Sequence, residues 1–315
     1  MTNNLKNITV LICTYNNATR LQITLDALSK CHIDPYITWE LVLVNNNSSD
    51  NTRDIALSYK GRLPLIYLEE PIQGVSNARN AGLVQGNGEL VIFTDDDIKP
   101  AGEWIMTYWR GYQEYGGKAF FGGPIESEFE GSVPDNELLT VSPPSVRGFD
   151  LGEEQHVVES GMFFVGANWA CPRSLIDVVG PVNPSLGLNP HSGKIKVGEE
   201  TDLMRRLINV GAIAVYLPQA KIKHFVPTHK TTLKHVGARI EAYAEYAWLC
   251  NEVEGQGKGI KLLNVPLWMF RLCVELWITC CLKKITGKQF SREYVKYRYF
   301  MGCIKSGIHQ QLNIS

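Results

Sequence analysis

Three carboxylates stand side by side at Asp95-Asp96-Asp97, directly after the apolar run Leu90 to Thr94 and just before Pro100. Adjacent Asp side chains repel one another and call for water or a cation. Hard carboxylate oxygens suit Mg²⁺ or Mn²⁺, and Mg²⁺ is commonly shared between one or two carboxylates and the phosphates of a substrate. The chemistry open to this cluster is therefore a metal–diphosphate site; the competing reading is a solvated turn, since Asp is frequent in turns and caps. A second acidic group opens the stretch Gly198-Glu199-Glu200-Thr201-Asp202-Leu203-Met204-Arg205-Arg206-Leu207. A carboxylate at the start of a helix can be aimed into a cleft as a general base. The same acids, with Arg205-Arg206 further along, would also simply align with the helix dipole. Arg79 sits near the start of a predicted helix, where a cation and free N–H groups both favour phosphate, and a surface salt bridge is the alternative. His224 lies in the strand-like run Ile222 to Val226 and is open to a structural or a metal-binding reading.

The elements that must position these groups follow from the apolar pattern. Ile8 to Cys13 is a continuous apolar and β-branched run, which predicts a buried strand. It is followed by the polar turn Thr14-Tyr15-Asn16-Asn17 and a helix to about Cys31 with Leu21, Leu25 and Leu28 on one face. Trp39 to Val44 predicts a second strand, ending in Asn45-Asn46-Asn47-Ser48-Ser49-Asp50, and Leu65 to Leu68 a third. Gly74-Val75-Ser76 opens a helix whose Ala78, Ala81 and Gly82 permit close approach to a sheet, and Leu90 to Thr94 is the fourth strand. Alternating strands and helices with short links imply right-handed βαβ units and a parallel sheet. The polar strand tips would then face the crevice in which such sheets bind ligands.

Further strands are predicted at Ala119 to Phe121, Met162 to Val165, Ala214 to Leu217 and Ile222 to Val226, with a helix from Glu103 to Tyr115. Residues 122–159, with Pro124, Pro134, Pro143 and Pro144, read as a long irregular insertion, a kind of segment that often carries substrate contacts. The small residues before Asn168 in Gly166-Ala167-Asn168 would let a ligand approach the backbone.

The totals exclude several classes. A chain of 315 residues with 44% hydrophobic and 20% charged residues is long and apolar enough for one large α/β domain with an appendage, or two domains. The loop after the first strand has no G-x-G-x-x-G, and no G-x-x-x-x-G-K-[ST] occurs, which argues against a dinucleotide fold and a P-loop NTPase. The eight cysteines show no CxxC pair and read as reduced thiols. No apolar leader follows Met1, and a cytoplasmic location is expected. Nucleic acid is not an expected partner. From Gln256 onward ten basic residues meet two acids, a net of +8, which leaves −9 on the first 255 residues. A basic tail on an acidic body points to a surface-binding appendage.

Taken in order, Val10-Leu11-Ile12-Cys13-Thr14-Tyr15-Asn16, Asn45-Asn46-Asn47-Ser48-Ser49-Asp50-Asn51-Thr52, Gly74-Val75-Ser76-Asn77-Ala78-Arg79-Asn80-Ala81-Gly82, Asp95-Asp96-Asp97, Gly166-Ala167-Asn168 and Gly198-Glu199-Glu200-Thr201-Asp202-Leu203 resemble the motifs of the inverting family 2 glycosyltransferases, over roughly residues 8 to 226. The resemblance implies the nucleotide-sugar-binding GT-A fold: α/β, with a Rossmann-like, mostly parallel central sheet flanked by helices and a C-terminal helical extension. It implies a catalytic domain over 1–226, divided into a nucleotide-binding half (1–100) and an acceptor-binding half (101–226), with the extension over 227–315. Position by position it puts Thr14, Asn16 and Asn45 in the nucleoside pocket, Arg79 near the nucleotide, Asp95 toward the ribose, and Asp97 with Asp95 on Mn²⁺ or Mg²⁺. Asp96 and Asn168 fall with the donor-binding residues, His224 is an additional metal ligand and Glu200 is the base that deprotonates the acceptor.

Two departures stand out: Asn45 where the family often has Asp, and Glu199-Glu200 where it often has Glu-Asp. The implied activity is hexosyl transfer with inversion from a UDP- or dTDP-linked sugar to a saccharide or lipid-linked acceptor, in cell-envelope polysaccharide or glycolipid synthesis. A sugar-phosphate nucleotidyltransferase shares the architecture, but would carry a Gly-rich, Lys/Arg-bearing loop where Thr14-Tyr15-Asn16-Asn17 stands. A non-catalytic scaffold, with the carboxylates only capping helices, is the third reading.

In the tail, Pro266 to Leu282 is strongly apolar, and Arg271, Glu275, Thr279 and Lys283 form one narrow polar stripe. The stretch is marginal for crossing a bilayer. An in-plane helix peripheral to the inner face of the cell membrane, with the following basic run on anionic lipid, is the expectation, against packing on the protein or in a dimer.

Overall fold

In a computed structural model, residues 6–159, 161–193 and 195–314 are described, so Met1 to Leu5, on which the expectation of no leader rests, lie outside them. The strands in chain order are β1 (Lys6–Thr14), β2 (Trp39–Asn45), β3 (Leu65–Glu69), β4 (Gly88–Asp95), β5 (Ile98–Pro100), β6 (Ala119–Gly122), β7 (Ile125–Phe129), β8 (His156–Val157), β9 (Asn168–Pro172), β10 (Ile213–Tyr216), β11 (Ile222–Val226), β12 (Lys261–Leu262) and β13 (Val265–Pro266). The helices are α1 (Ala18–Leu28), α2 (Thr52–Ser58), α3 (Val75–Gln85), α4 (Trp104–Tyr115), α5 (Asn136–Val141), α6 (Pro144–Arg147), α7 (Arg173–Val179), α8 (Glu199–Asn209), α9 (Leu233–Leu249), α10 (Leu267–Ile285) and α11 (Ser291–Ile314).

The chain divides into two compact units. The first comprises residues up to Glu128 with Gly148–Gly193 and Glu199–Phe225. Its main sheet has eight strands in the order β3-β2-β1-β4-β9-β6-β10-β8. β3, β2, β1 and β4 are mutually parallel, β9 runs against β4 and β6, and β10 is parallel to β6. The β1–β4 runs are apolar on both faces because both faces are covered. Ile8, Val10 and Ile12 turn to the side on which Leu21 and Leu25 of α1 and Trp104 and Tyr108 of α4 pack. Leu11, Val42 and Phe93 turn to the other, against Ala78 of α3 and Leu203 and Leu207 of α8. The small residues of α3 have the effect expected of them: a Cβ on Gly82 would come within 2.2 Å of Leu11 Cδ1. Phe93 and Trp169, paired in register across β4 and β9, stack with centroids 4.4 Å apart.

One strand lies elsewhere than expected. Residues 162–165 are irregular, and the strand is Asn168–Pro172. Val165 O accepts a hydrogen bond from Asn168 N (2.9 Å), so the chain turns there, and Phe164 is buried against Gly122, whose missing side chain makes the room.

The second unit comprises Phe129–Arg147, Lys194–Gly198 and Val226–Ser315. Much of the irregular stretch expected over 122–159 thus belongs with the helices of the tail, and Leu138 of α5 is buried with Val236 of α9 and Val295 of α11. A second cluster joins Trp248 of α9, Met269 and Cys273 of α10, and Cys303 and Ile304 of α11. Glu241 of α9 is buried and paired with both Arg298 and Lys305 of α11. Among the described residues, no helix is long and apolar enough to cross a membrane.

Candidate active site

The site is built at the carboxyl ends of β1, β2 and β4, where Thr14 pairs in register with Asn45 and the residue before it, Cys13, pairs with Asp95. After Asp95 the chain turns through Asp96 and Asp97 into β5. That strand pairs antiparallel with β11, placing His224 opposite Ile98, and Phe225 N donates to Asp97 O (2.9 Å). This backbone pairing carries the His224 imidazole to the acidic turn: its Nε2 lies 3.3 Å from Asp97 Oδ1. Asp95, Asp97 and His224 each offer a ligand atom, and the three atoms lie within 4.8 Å of one another. Two hard oxygens and one imidazole nitrogen, drawn to one point, are a donor set that fits a divalent ion and leaves coordination positions for phosphate oxygens.

The middle carboxylate faces inward. Asp96 accepts from Thr14 Oγ1 (2.5 Å) and Asn17 Nδ2 (2.7 Å). Burial first, then the adjacent Asp97, pushes its carboxyl up to about 7. The turn is held from below by Thr24 of α1, whose hydroxyl lies 2.9 Å from the carbonyl oxygens of both Asp96 and Ile98 and accepts from Ile98 N. Asn17 and Thr24 are site residues that the sequence reading does not single out. The signal for Thr24 is present there, as a polar residue on the same face as Leu21, Leu25 and Leu28.

Arg79, on α3, is buried and reaches two of the acidic groups. Its Nη1 bonds Glu199 Oε1 at 3.0 Å, and its Nη2 lies 3.9 Å from Asp95 Oδ1. Burial alone would favour the neutral guanidine, but Glu199, Glu200 and Asp95 outweigh it and hold the charge more firmly than usual. Glu199 responds in the opposite sense: burial first, then Glu200, pushes its carboxyl up to about 8 against the pull of Arg79. Glu200 stands beside this pair. A Cβ on Gly166 would lie 3.0 Å from Arg79 Nη2 and 3.2 Å from Glu200 Oε1, so the glycine is what lets both side chains close over that point of the backbone. Glu200 Oε2 is buried and has no hydrogen-bond partner among the described residues. A buried carboxylate oxygen is costly to leave unpaired, and a ligand hydroxyl is one group that would complete it.

The nucleoside side is more committed to internal bonds than its residue types suggest. Asn16, at φ 48°, accepts from Ser49 N (2.7 Å) and donates its own N–H to Ser48 Oγ (2.9 Å), tying the loop after β1 to the loop after β2. Asn45 donates to the Tyr67 hydroxyl (2.9 Å) and accepts from Ser48 N (3.0 Å), which leaves one N–H and one lone pair.

Asn168 departs furthest from its expected place among donor-binding residues. It is fully buried; its Oδ1 accepts from Trp104 Nε1 and the Tyr108 hydroxyl (both 2.8 Å), and its Nδ2 donates to Pro124 O (3.0 Å) and Ala220 O (2.8 Å). Those four bonds use its full capacity, so the side chain bolts α4 to the sheet and has nothing left for a ligand. Asn168→Ala is expected to strand two donors and two carbonyls in the core, at about 1–3 kcal/mol each before relaxation, and to lower the unfolding free energy by at least about 3 kcal/mol. A lower urea midpoint at unchanged slope is the reading that checks it.

Among the described residues no cysteine is in a disulfide, and burial pushes the Cys13 thiol up to about 12, which removes it as a nucleophile at neutral pH.

Comparison with known proteins gives one answer. The family model described as Glycosyl transferase family 2 matches residues 9–179. The glycosyltransferase AglE of Haloferax volcanii is 33% identical over 107 residues, covering 33% of this chain and 35% of that protein, so the chain spans about a third of this relative's length. The succinoglycan biosynthesis protein ExoM of Rhizobium meliloti is 23% identical over 244 residues, 76% of this chain and 73% of its own. Among solved structures, the mannosyltransferase PcManGT from Pyrobaculum calidifontis, in complex with GDP-Man and Mn²⁺, has a similar fold. It aligns with a TM-score of 0.55 at 16% identity, over 97% of this chain and 88% of that one.

Proposed function

Because the chain belongs to glycosyl transferase family 2, with a GT-A fold, we propose that it moves a hexosyl group from a nucleoside-diphospho-sugar to an acceptor hydroxyl with inversion at the anomeric carbon. The observation that carries the reading is the meeting of two acidic groups at one cation. Asp95 belongs to the Asp95–Asp97–His224 cluster, and Glu199 belongs to the Glu199–Glu200 helix start; both are within reach of the Arg79 guanidinium.

In this reading Asp95, Asp97 and His224 would hold Mn²⁺ or Mg²⁺, with the imidazole favouring Mn²⁺. Held there, a divalent ion would supply Lewis-acid neutralisation of charge on the departing diphosphate. Arg79 supports the same charge from the protein side, in a buried setting where a fixed cation acts more strongly than it would in water. Thr14 orients Asp96, and through it the acidic turn, while Asn45 offers its remaining N–H and lone pair to the base. Glu200 takes the acceptor proton on Oε2 as the acceptor oxygen attacks the anomeric carbon from the face opposite the diphosphate. One displacement of this kind inverts configuration and needs no enzyme nucleophile, consistent with the high-pKa thiol of Cys13. The acceptor is a saccharide or lipid-linked hydroxyl of the kind used in envelope polysaccharide or glycolipid assembly.

The test is a panel of nucleotide-sugars, each assayed with and without Mn²⁺ for thermal stabilisation and for release of nucleoside diphosphate. One donor is expected to raise the melting temperature in a Mn²⁺-dependent way, because a ligand at about 100 times its Kd adds about 2.7 kcal/mol to the folded state. A panel in which Mn²⁺ changes neither readout for any donor would overturn the reading.

A further inference from the structure

α10 is apolar on both of its sides. Its inward side, with Met269, Cys273 and Cys280, is buried within the helical unit. Its outward side carries Val274, Trp277, Ile278, Leu282 and Ile285, which are 56%, 54%, 45%, 59% and 82% exposed. At 100° per residue, Val274, Ile278 and Ile285 fall within a 40° arc, with Trp277 and Leu282 flanking it. A helix with two apolar sides normally has both of them covered. No helix among the described residues, this one included, is suited to crossing a membrane.

The charge around this face selects the occupant. From Lys258 to Lys288 there are six basic residues and one acid, Glu275, a net of +5. Glu275 is itself bonded to Arg271 (2.7 Å), one turn earlier on α10. Lys258, Lys261, Lys284 and Lys288 are exposed. A second copy of the chain meeting this face about a two-fold axis would set one +5 strip against another, a repulsive arrangement. A lipid surface carrying negative headgroups meets it with opposite charge, and an exposed Trp beside aliphatic residues is suited to the headgroup boundary.

We propose that the outward face of α10 is a docking surface for an anionic phospholipid bilayer. The helix lies in the plane of the interface, with Trp277, Ile278 and Leu282 in the acyl boundary and the lysines on the headgroups. This inference stands on the helical unit alone and is independent of the transferase reading.

The test is flotation of the full-length protein with vesicles of phosphatidylcholine alone and vesicles containing about one-third phosphatidylglycerol. Wild type is expected on the anionic vesicles only, with binding that falls as salt rises. Ile278→Glu, at an exposed position, is expected to weaken that binding at least about tenfold. Lys284→Glu with Lys288→Glu is expected to weaken it about 25-fold, at about fivefold for each lysine taken off the headgroups. Both variants should keep the wild-type melting temperature, which separates a disabled docking face from a misfolded chain. Wild type that stays off anionic vesicles overturns the proposal, as does an Ile278→Glu variant that binds like wild type. A wild-type dimer in sedimentation that Ile278→Glu dissociates would also overturn it, assigning the face to a second copy instead.

Discussion

Asp97→Ala is expected to lose turnover by about 10³-fold or more while the protein stays folded. Asp97 supplies one of the three ligand atoms that converge within 4.8 Å, so its removal leaves Asp95 and His224 as the remaining pair. An ion held that weakly no longer offsets the charge developing on the leaving diphosphate, and about 4 kcal/mol of lost transition-state stabilisation corresponds to about 10³ in rate. The measurement is nucleoside diphosphate release over a Mn²⁺ titration, paired with Mn²⁺ affinity by calorimetry. Affinity and rate should fall together, and excess Mn²⁺ should recover part of the rate. A variant within threefold of wild type in both would remove the metal from the mechanism and return the acidic turn to a solvated structural role. His224→Gln is the milder companion: it removes the imidazole while leaving both carboxylates.

The second large effect is expected at Glu200. Glu200→Gln keeps the volume and removes the proton acceptor, so kcat should fall by about 10²–10⁴, the usual worth of a positioned general base. Donor KM and Mn²⁺ affinity should change little. Glu199→Gln is the control that gives this prediction its force, because the two residues are adjacent and chemically alike but differently placed. Glu199 is bonded to Arg79, whereas Glu200 Oε2 has no hydrogen-bond partner among the described residues. Glu199→Gln should therefore act mainly on stability and donor binding, through the loss of the carboxyl oxygen that accepts from a buried guanidinium. If Glu199→Gln lost the greater part of kcat and Glu200→Gln did not, the base would be Glu199 and not its neighbour.

The parts of the site that could be read from the sequence are those within one strand and its following turn. Ile8 to Cys13, Trp39 to Val44 and Leu90 to Thr94 are unbroken apolar runs, and such runs mark strands buried on both faces whatever surrounds them. The residues that end them, Thr14, Asn45 and Asp95, arrive together because neighbouring parallel strands put their carboxyl ends at one edge. Asn168 shows the limit of this reading. A polar residue following two small ones suits a ligand contact as well as a buried bolt, and only the positions of Trp104, Tyr108, Pro124 and Ala220 around it decide between them.

By itself, then, the sequence determined the alternation of strands and helices, the sheet they make, and the acidic turn at its edge, because periodicity and side-chain type act over a few residues. Tertiary structure alone decided which distant groups meet that turn. His224 reaches Asp97 through the antiparallel pairing of β5 with β11, and Arg79 reaches Glu199 across 120 residues of chain. The physical reason is that such contacts are set by how the elements close on one another, a property of the packed whole that local propensity does not carry.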